Sequence, residues 1–448
     1  MPISFSYDFN SLMTPRTGLL IFILPINFGY ELALVGNILA ISSFLNKFGV
    51  TTATGAKEIS THDQRILNAS TTIGVFVAAY TTGFISDIIG RRLVVLLGCG
   101  LCIAGILVHG FSNSIMMLFG GKLISTVGYG LGHTLGPVYV AEIAPDSLRG
   151  VCLILINTMI VLGQWSCALV GYGGSFIESD WGWRLPVFTQ LVPPMLVLVL
   201  GGLLLPESPT WLLMKGRREE ATKALRKFNG PKHNVEETLA IMETTLEKER
   251  ELNNRGASYL ECFKGPNLRR TTIVVVVYLA QQLAGSNFVP SYFFTIAGVG
   301  NPIGIAQVCY SIQLLGNICS WFLVERTGRR PLIVWGIISM SALLLLIGGL
   351  SVIENNQQAL AAVVAFMALW GFLQRKPGWK GSLRILCPVL ICSVYLFFCF
   401  PEMKGRSYLE LEDMFQKGVP ARKFKDYKFE VETVEGKDGE KVAVVLKD

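Results

Sequence analysis

The chain has 448 residues, 51% of them hydrophobic and only 16% charged, with a formal charge of +7 and a mean hydropathy of +0.48. A soluble protein of this length would carry nearer a quarter of its residues as charges. No basic tract, phosphate loop, metal motif or nucleophile–base pair is visible, which argues against nucleic acid as a partner, against a cofactor and against an enzyme.

Low charge and long apolar stretches predict an all-α polytopic membrane protein in contact with the lipid bilayer. Residues 1–16, MPISFSYDFNSLMTPR, lack the layout of a cleaved signal peptide, so the first apolar run is expected to be a retained span. About 20 apolar residues are needed to cross the hydrocarbon as a helix. Candidate spans lie near 17–38, 68–87, 93–111, 115–140, 151–172 and 186–205, then near 271–294, 301–324, 331–351, 359–374 and 383–400. Strands of a barrel would be about half as long and would alternate.

Short loops set the orientation. Those at 112–114, 295–305 and 352–358 have no Lys or Arg, whereas 88–92, 141–150 and 325–330 carry Arg91, Arg92, Arg149, Arg326, Arg329 and Arg330. The positive-inside rule places the second group, and by parity the N-terminus, in the cytoplasm. Between the two sets of spans, 206–270 is a polar insert with 13 Lys/Arg and 10 Asp/Glu. Its SPTWLLMKG predicts a short helix with Ser208 as N-cap, Pro209 in the first turn and Gly216 as terminator. RREEATKALRKFNG and VEETLAIMETTLEKERELNN follow as amphipathic helices. Most of the ten cysteines lie inside apolar runs at spacings that fit neither zinc nor a disulfide framework.

The expected domains are a cytoplasmic N-terminus (1–16), a six-helix bundle (17–205), a cytoplasmic helical linker (206–270), a second bundle (271–400) and a tail (401–448). Internal landmarks repeat. GRR occurs at 90–92 and at 328–330, each after the second span of its half; Pro206-Glu207 and Pro401-Glu402 each follow the last span. Matching landmarks suggest a duplicated bundle, the plan in which substrate sits at mid-membrane between two rocking halves.

Seven motifs carry a resemblance: GFISDIIGRR (83–92), YVAEIAPDSLRG (139–150), GWRLP (182–186), PESPTWL (206–212), QQLAGSN (281–287), VERTGRR (324–330) and PEMKGR (401–406). In this order, over residues 20 to 415, the chain resembles the sugar porters of the major facilitator superfamily, in phrasing their fungal branch for hexoses and α-glucosides. The resemblance implies two pseudo-symmetric helix bundles, a monomer in the plasma membrane, and alternating access. It also implies a cytoplasmic gate of ion pairs from Asp87, Arg91, Arg92, Glu142, Arg149 and Glu207, with Glu325, Arg329, Arg330, Glu402 and Arg406 in the second half. Ile88 stands where the wider superfamily often has another arginine.

Polar groups inside spans are costly and face a cavity or a partner. Gln164, Gln281, Gln282, Asn287, Gln313 and Asn317 are amides, which offer sugar hydroxyls donors and acceptors without burying charge; bonding between helices is the plainer role for any one of them. Their agreement with the family's sugar positions implies substrate contact, with Gln313 in the place of an asparagine. Gln281 and Asn287 converge only if their helix breaks, and Gly285 between them permits a break. Two charges remain, Glu31 and Lys122, each about 10 Å inside the outer end of its span. Matched depth and opposite sign suggest a pair. In proton-coupled relatives an aspartate and an arginine match these positions, which implies H+ as coupling ion; a structural ion pair in a facilitator is the alternative. His133 is the other titratable candidate.

The second half departs from the pattern. Gly90 and Pro206 are 116 residues apart, but Gly328 and Pro401 only 73. The deficit follows FMALWGFLQ (366–374), where the family continues through the rest of helix 10 and helix 11. Counting spans then puts PEMKGR outside, whereas the family and Lys404 and Arg406 put it inside. Sugar transport by proton symport is the leading expectation; a non-transporting sugar sensor, or an inactive carrier whose gene is decayed or wrongly assembled, is the other.

Overall fold

The computed structural model describes residues 15–51, 57–143, 146–228, 235–253, 262–283 and 302–327, with short stretches between 330 and 444. They divide into two compact units: residues 1–256 with 287–318 and 367–372, and residues 257–286 with 319–366 and 373–448. Among the described residues, six helices are long and apolar enough to cross a membrane, and a bent pair would make a seventh.

In the first unit, α1 (Pro15–Ile38) turns by 68° into the short α2 (Ser42–Phe48). Then come α3 (Thr61–Ile89), α4 (Arg91–Gly110), α5 (Ile115–Ile143) and α6 (Asp146–Gly174). The sixth predicted span is broken into α7 (Trp181–Thr189), α8 (Val192–Leu196), a π turn (Val197–Gly201) and α9 (Gly202–Leu204). Pro193 and Pro194 bring no N–H to the ladder, so the carbonyls before them lose their usual donors and the helix reopens there.

Where lipid already surrounds the helices, burial of apolar surface gives little drive, and close backbone packing does more of the work. Gly29 of α1 and Gly163 of α6 show this. A Cβ on Gly29 would strike the carbonyl of Ile160, and one on Gly163 the carbonyl of Ile26. The two contacts are reciprocal and one turn apart, so α1 and α6 touch backbone to backbone. Gly163→Leu is therefore expected to cost about 3 kcal/mol or to prevent assembly, read as loss of the monodisperse peak in detergent; an unchanged melting temperature would contradict this packing.

The predicted linker helices are present as α10 (Pro209–Met214), α11 (Arg218–Phe228) and α12 (Val235–Asn253). Ser208 Oγ accepts from Trp211 N. Gly216 has φ +76, and the next N–H reaches back from Arg217 to Leu212 O, which closes the helix. Trp211, Leu212, Ala221, Leu225 and Leu239 join Val94, Val140 and Leu205 in one buried cluster, so the linker packs under the bundle.

In the second unit α13 (Gly265–Leu283) packs Ile273 and Ala280 against Leu396 and Phe400 of the last apolar segment. The helix α14 (Pro302–Thr327) begins in the first unit. Among the described residues, two short hairpins accompany the helices. Val50–Thr51 pairs with Lys57–Glu58, and in the tail Glu432–Glu435 pairs antiparallel with Lys441–Val444. Both hairpins have strands too short for the periodicity of a sequence to register. The expected site of the missing helix, after 374, lies outside the described residues.

Candidate functional site: a buried charge pair, an amide and an ion-pair network

Glu31 sits seven residues before the end of α1, and Lys122 seven residues after the start of α5. Both are buried to within 2%. Lys122 Nζ donates directly to Glu31 Oε1, which also accepts from Thr126 Oγ1 at 3.2 Å. The second carboxylate oxygen accepts from Gln190 Nε2 at 2.7 Å. Every oxygen of the buried carboxylate thus has a donor, the condition under which a buried ion pair is tolerable at all. Sequence reading found Glu31 and Lys122 but not Gln190 or Thr126. Thr126 lies one turn beyond Lys122 on the same face. Gln190 belongs to the break between α7 and α8, where the prolines release it from a regular helix.

Gln164 of α6 is fully buried, and neither atom of its amide has a hydrogen-bonding partner among the described residues. An amide left so in a dry interior costs about 1–3 kcal/mol, which a hydroxylated ligand or water would relieve. Asn317 and Gln313 lie one turn apart on α14. Asn317 Oδ1 accepts from Thr158 of α6 at 2.6 Å, and Trp165 Nε1 donates to Ser311 Oγ at 3.0 Å. Gln281 and Gln282 form the last turn of α13, with their side chains outside the description; Asn287 lies outside the described residues altogether. His133 stacks on Phe28 at 3.8 Å, with rings 5° from parallel. Gln164→Ala is expected to raise the KM for sugar about tenfold or more with little loss of folded protein. An unchanged KM would remove Gln164 from the sugar contacts.

At the other end of the bundle Gly90 joins α3 to α4 at φ +96, a conformation costly for any residue with a Cβ. The Glu207 carboxylate fills the space that a Cβ would need. It accepts from the backbone N–H of Arg91 at 2.8 Å and of Arg92 at 3.2 Å, so it caps the start of α4 from 115 residues away. The Arg91 guanidinium pairs with Asp87 at 3.0 Å and Glu142 at 3.1 Å, and donates to Ser86 O. Ser208 Oγ donates to the other oxygen of Glu142 at 2.5 Å, and Trp211 Nε1 to Asp87 O.

Arg92 departs from the expected ion pairing: its guanidinium donates to the backbone carbonyl of Gly202 at 2.5 Å. Arg149 lies in the first turn of α6 and Glu325 in the last turn of α14, with side chains outside the description. Arg329, Glu402 and Arg406 lie outside the described residues, while Arg330 donates to Phe397 O at 3.0 Å.

Comparison with known proteins agrees with this architecture. The family model for sugar (and other) transporters matches residues 18–388. The general alpha-glucoside permease of Saccharomyces cerevisiae is 27% identical over 88% of this chain and 74% of its own length. For the maltose permease MAL61 of the same species the values are 28%, 89% and 75%. Among solved structures, the proton:xylose symporter XylE bound to 6-bromo-6-deoxy-D-glucose superimposes with a TM-score of 0.64 at 21% identity, covering 93% of each chain. That likeness concerns the fold. With a family model spanning most of its length, the chain belongs to the sugar porter family of the major facilitator superfamily and is a multi-pass membrane protein of sugar transport.

Proposed function

We propose that the protein carries an α-glucoside or hexose across the plasma membrane together with a proton, by alternating access. The observation that carries this reading is the Glu31 carboxylate, buried at the depth of Lys122 and held by Lys122, Thr126 and Gln190. A carboxylate in this setting has two states. Ionised, it neutralises Lys122; protonated, it leaves that cation without a counter-charge in a medium that tolerates none. Taking up a proton therefore changes which packing of α1, α5 and α7 is favoured, which is what coupling to a conformational cycle requires.

Two supports bear on the substrate. The unpartnered amide of Gln164 suits hydroxyl-rich ligands, and the two yeast relatives are named for α-glucosides and maltose. The test is uptake of labelled maltose and labelled glucose by a yeast lacking its own sugar carriers. Saturable maltose uptake that unlabelled α-glucosides suppress is expected. Uptake of neither sugar would overturn the substrate reading.

A second reading, sugar binding without useful turnover, is favoured by one observation: the 73 residues from Gly328 to Pro401 against 116 from Gly90 to Pro206. Alternating access needs two bundles that close in turn. On that reading the chain as written binds sugar but transports little of it, and a version with the segment restored after residue 374 transports at least about tenfold faster.

A further inference from the structure

Part of the tail beyond Pro401, within residues 414–424, is well packed. Met414 and Phe424 are fully buried and Ala421 nearly so. Gly418, at φ +66, reverses the backbone between them. Its N–H reaches Phe415 O at 3.2 Å, and Val419 N reaches Met414 O at 3.0 Å, the paired bonds that end a helix at a left-handed glycine. The reversal brings Phe415 and Phe424 edge to face with centroids 5.2 Å apart.

Two arginines at the start of α13 grip this pair. Arg269 lies 5.5 Å from the Phe415 centroid and 5.9 Å from that of Phe424, and its guanidinium donates to Val419 O at 2.8 Å. Arg270 lies 4.8 Å from Phe415. On the other side, Arg422 of the tail stands over Phe397 at 5.5 Å and Phe398 at 5.0 Å, at the end of the last apolar segment. Cations held over ring faces attract, and five such contacts are described here.

We propose that residues 414–424 form a strap that ties the first helix of the second bundle to its last at their cytoplasmic ends. The geometry also gives the direction of the last segment. Its end, Phe397–Phe400, shares the strap with the start of α13, and α13 follows directly on the linker with its 13 Lys/Arg. The last segment therefore runs antiparallel to α13 and ends in the cytoplasm, as does the tail. An even number of crossings then separates Arg330 from Pro401, against the three apolar segments counted there in the sequence.

The experiment uses the full chain in sealed membrane vesicles and follows trypsin cleavage after Lys417. In vesicles with the cytoplasmic face outward, slow cleavage of the wild type is expected, and cleavage about tenfold faster in Phe424→Ala and in Arg422→Gln. The second substitution leaves the buried Met414 and Phe424 in place, so it tests the strap even where the first impairs folding. In vesicles of the opposite orientation no cleavage is expected. Cleavage there would put the tail outside, and equal rates in wild type and both variants would mean that no strap forms; either result overturns the proposal.

Discussion

Replacing Glu31 by glutamine is expected to bring sugar accumulation down to about the external concentration, while exchange of labelled sugar between equal pools persists. Glutamine is a neutral isostere of the protonated acid. It keeps an oxygen to accept from Thr126, and Gln190, which donates to Glu31, can turn its Oε1 to accept from the new N–H, but glutamine cannot release a proton. A carrier fixed in the protonated form can still reorient with sugar bound, so exchange survives; net movement loses its link to the proton gradient. Lys122 distinguishes coupling from simple support. Lys122→Met leaves a buried carboxylate without its cation and should cost about 3–5 kcal/mol, seen as poor expression. Lys122→Arg keeps the charge and should restore both folding and accumulation. Measuring steady-state accumulation and equal-pool exchange in the same cells checks all three. Accumulation undiminished in the Glu31→Gln carrier would exclude Glu31 as the coupling group.

At the Gly90 end of the bundle, Arg91→Ala is expected to be far more damaging than Arg92→Ala, though the two arginines are adjacent. Arg91 is buried and serves Glu142, Asp87 and Ser86 O together. Removing it leaves Glu142 largely buried with, among the described residues, the Ser208 hydroxyl as its remaining partner, at a cost of about 3 kcal/mol. Asp87 is mostly exposed and contributes little to that figure. Arg92 donates to one carbonyl, worth about 1–2 kcal/mol. Melting temperatures of the purified variants in one detergent check the order. An Arg92→Ala protein as unstable as Arg91→Ala would show that the network described around Glu142 does not set stability.

Much of this was open to reading in the sequence, for identifiable reasons. Span lengths announce themselves, because lipid forces long apolar helices. Glu31 and Lys122 could be paired from depth alone, since a lone charge there would be strongly disfavoured. The caps at Ser208 and Gly216 are local chemistry and were legible for that reason. Gln190 was not, because its role depends on a helix broken at Pro193 and Pro194, and periodicity assumes an unbroken one. Nor was the cap that Glu207 places on α4, since it joins residues far apart in the chain through a backbone turn at Gly90. The motif pointed to Glu207 only as a member of a gate. Arg92 was expected to pair with a carboxylate, whereas among the described residues its guanidinium donates to the carbonyl of Gly202 at the start of α9. The proposed strap was hidden by distance as well, Arg269 lying 150 residues from Val419, to which it donates.

The central claim is that sugar and proton cross together through Glu31, and the most direct measurement of it is external pH. Lightly buffered, energy-depleted yeast cells expressing the carrier are given maltose, and the medium is followed for alkalinisation while labelled sugar entry is measured in parallel. The expected result is a sugar-evoked rise in external pH that scales with sugar entry and is absent in Glu31→Gln cells. Sugar entry with no proton movement in the wild type, or the same alkalinisation in the variant, would contradict it.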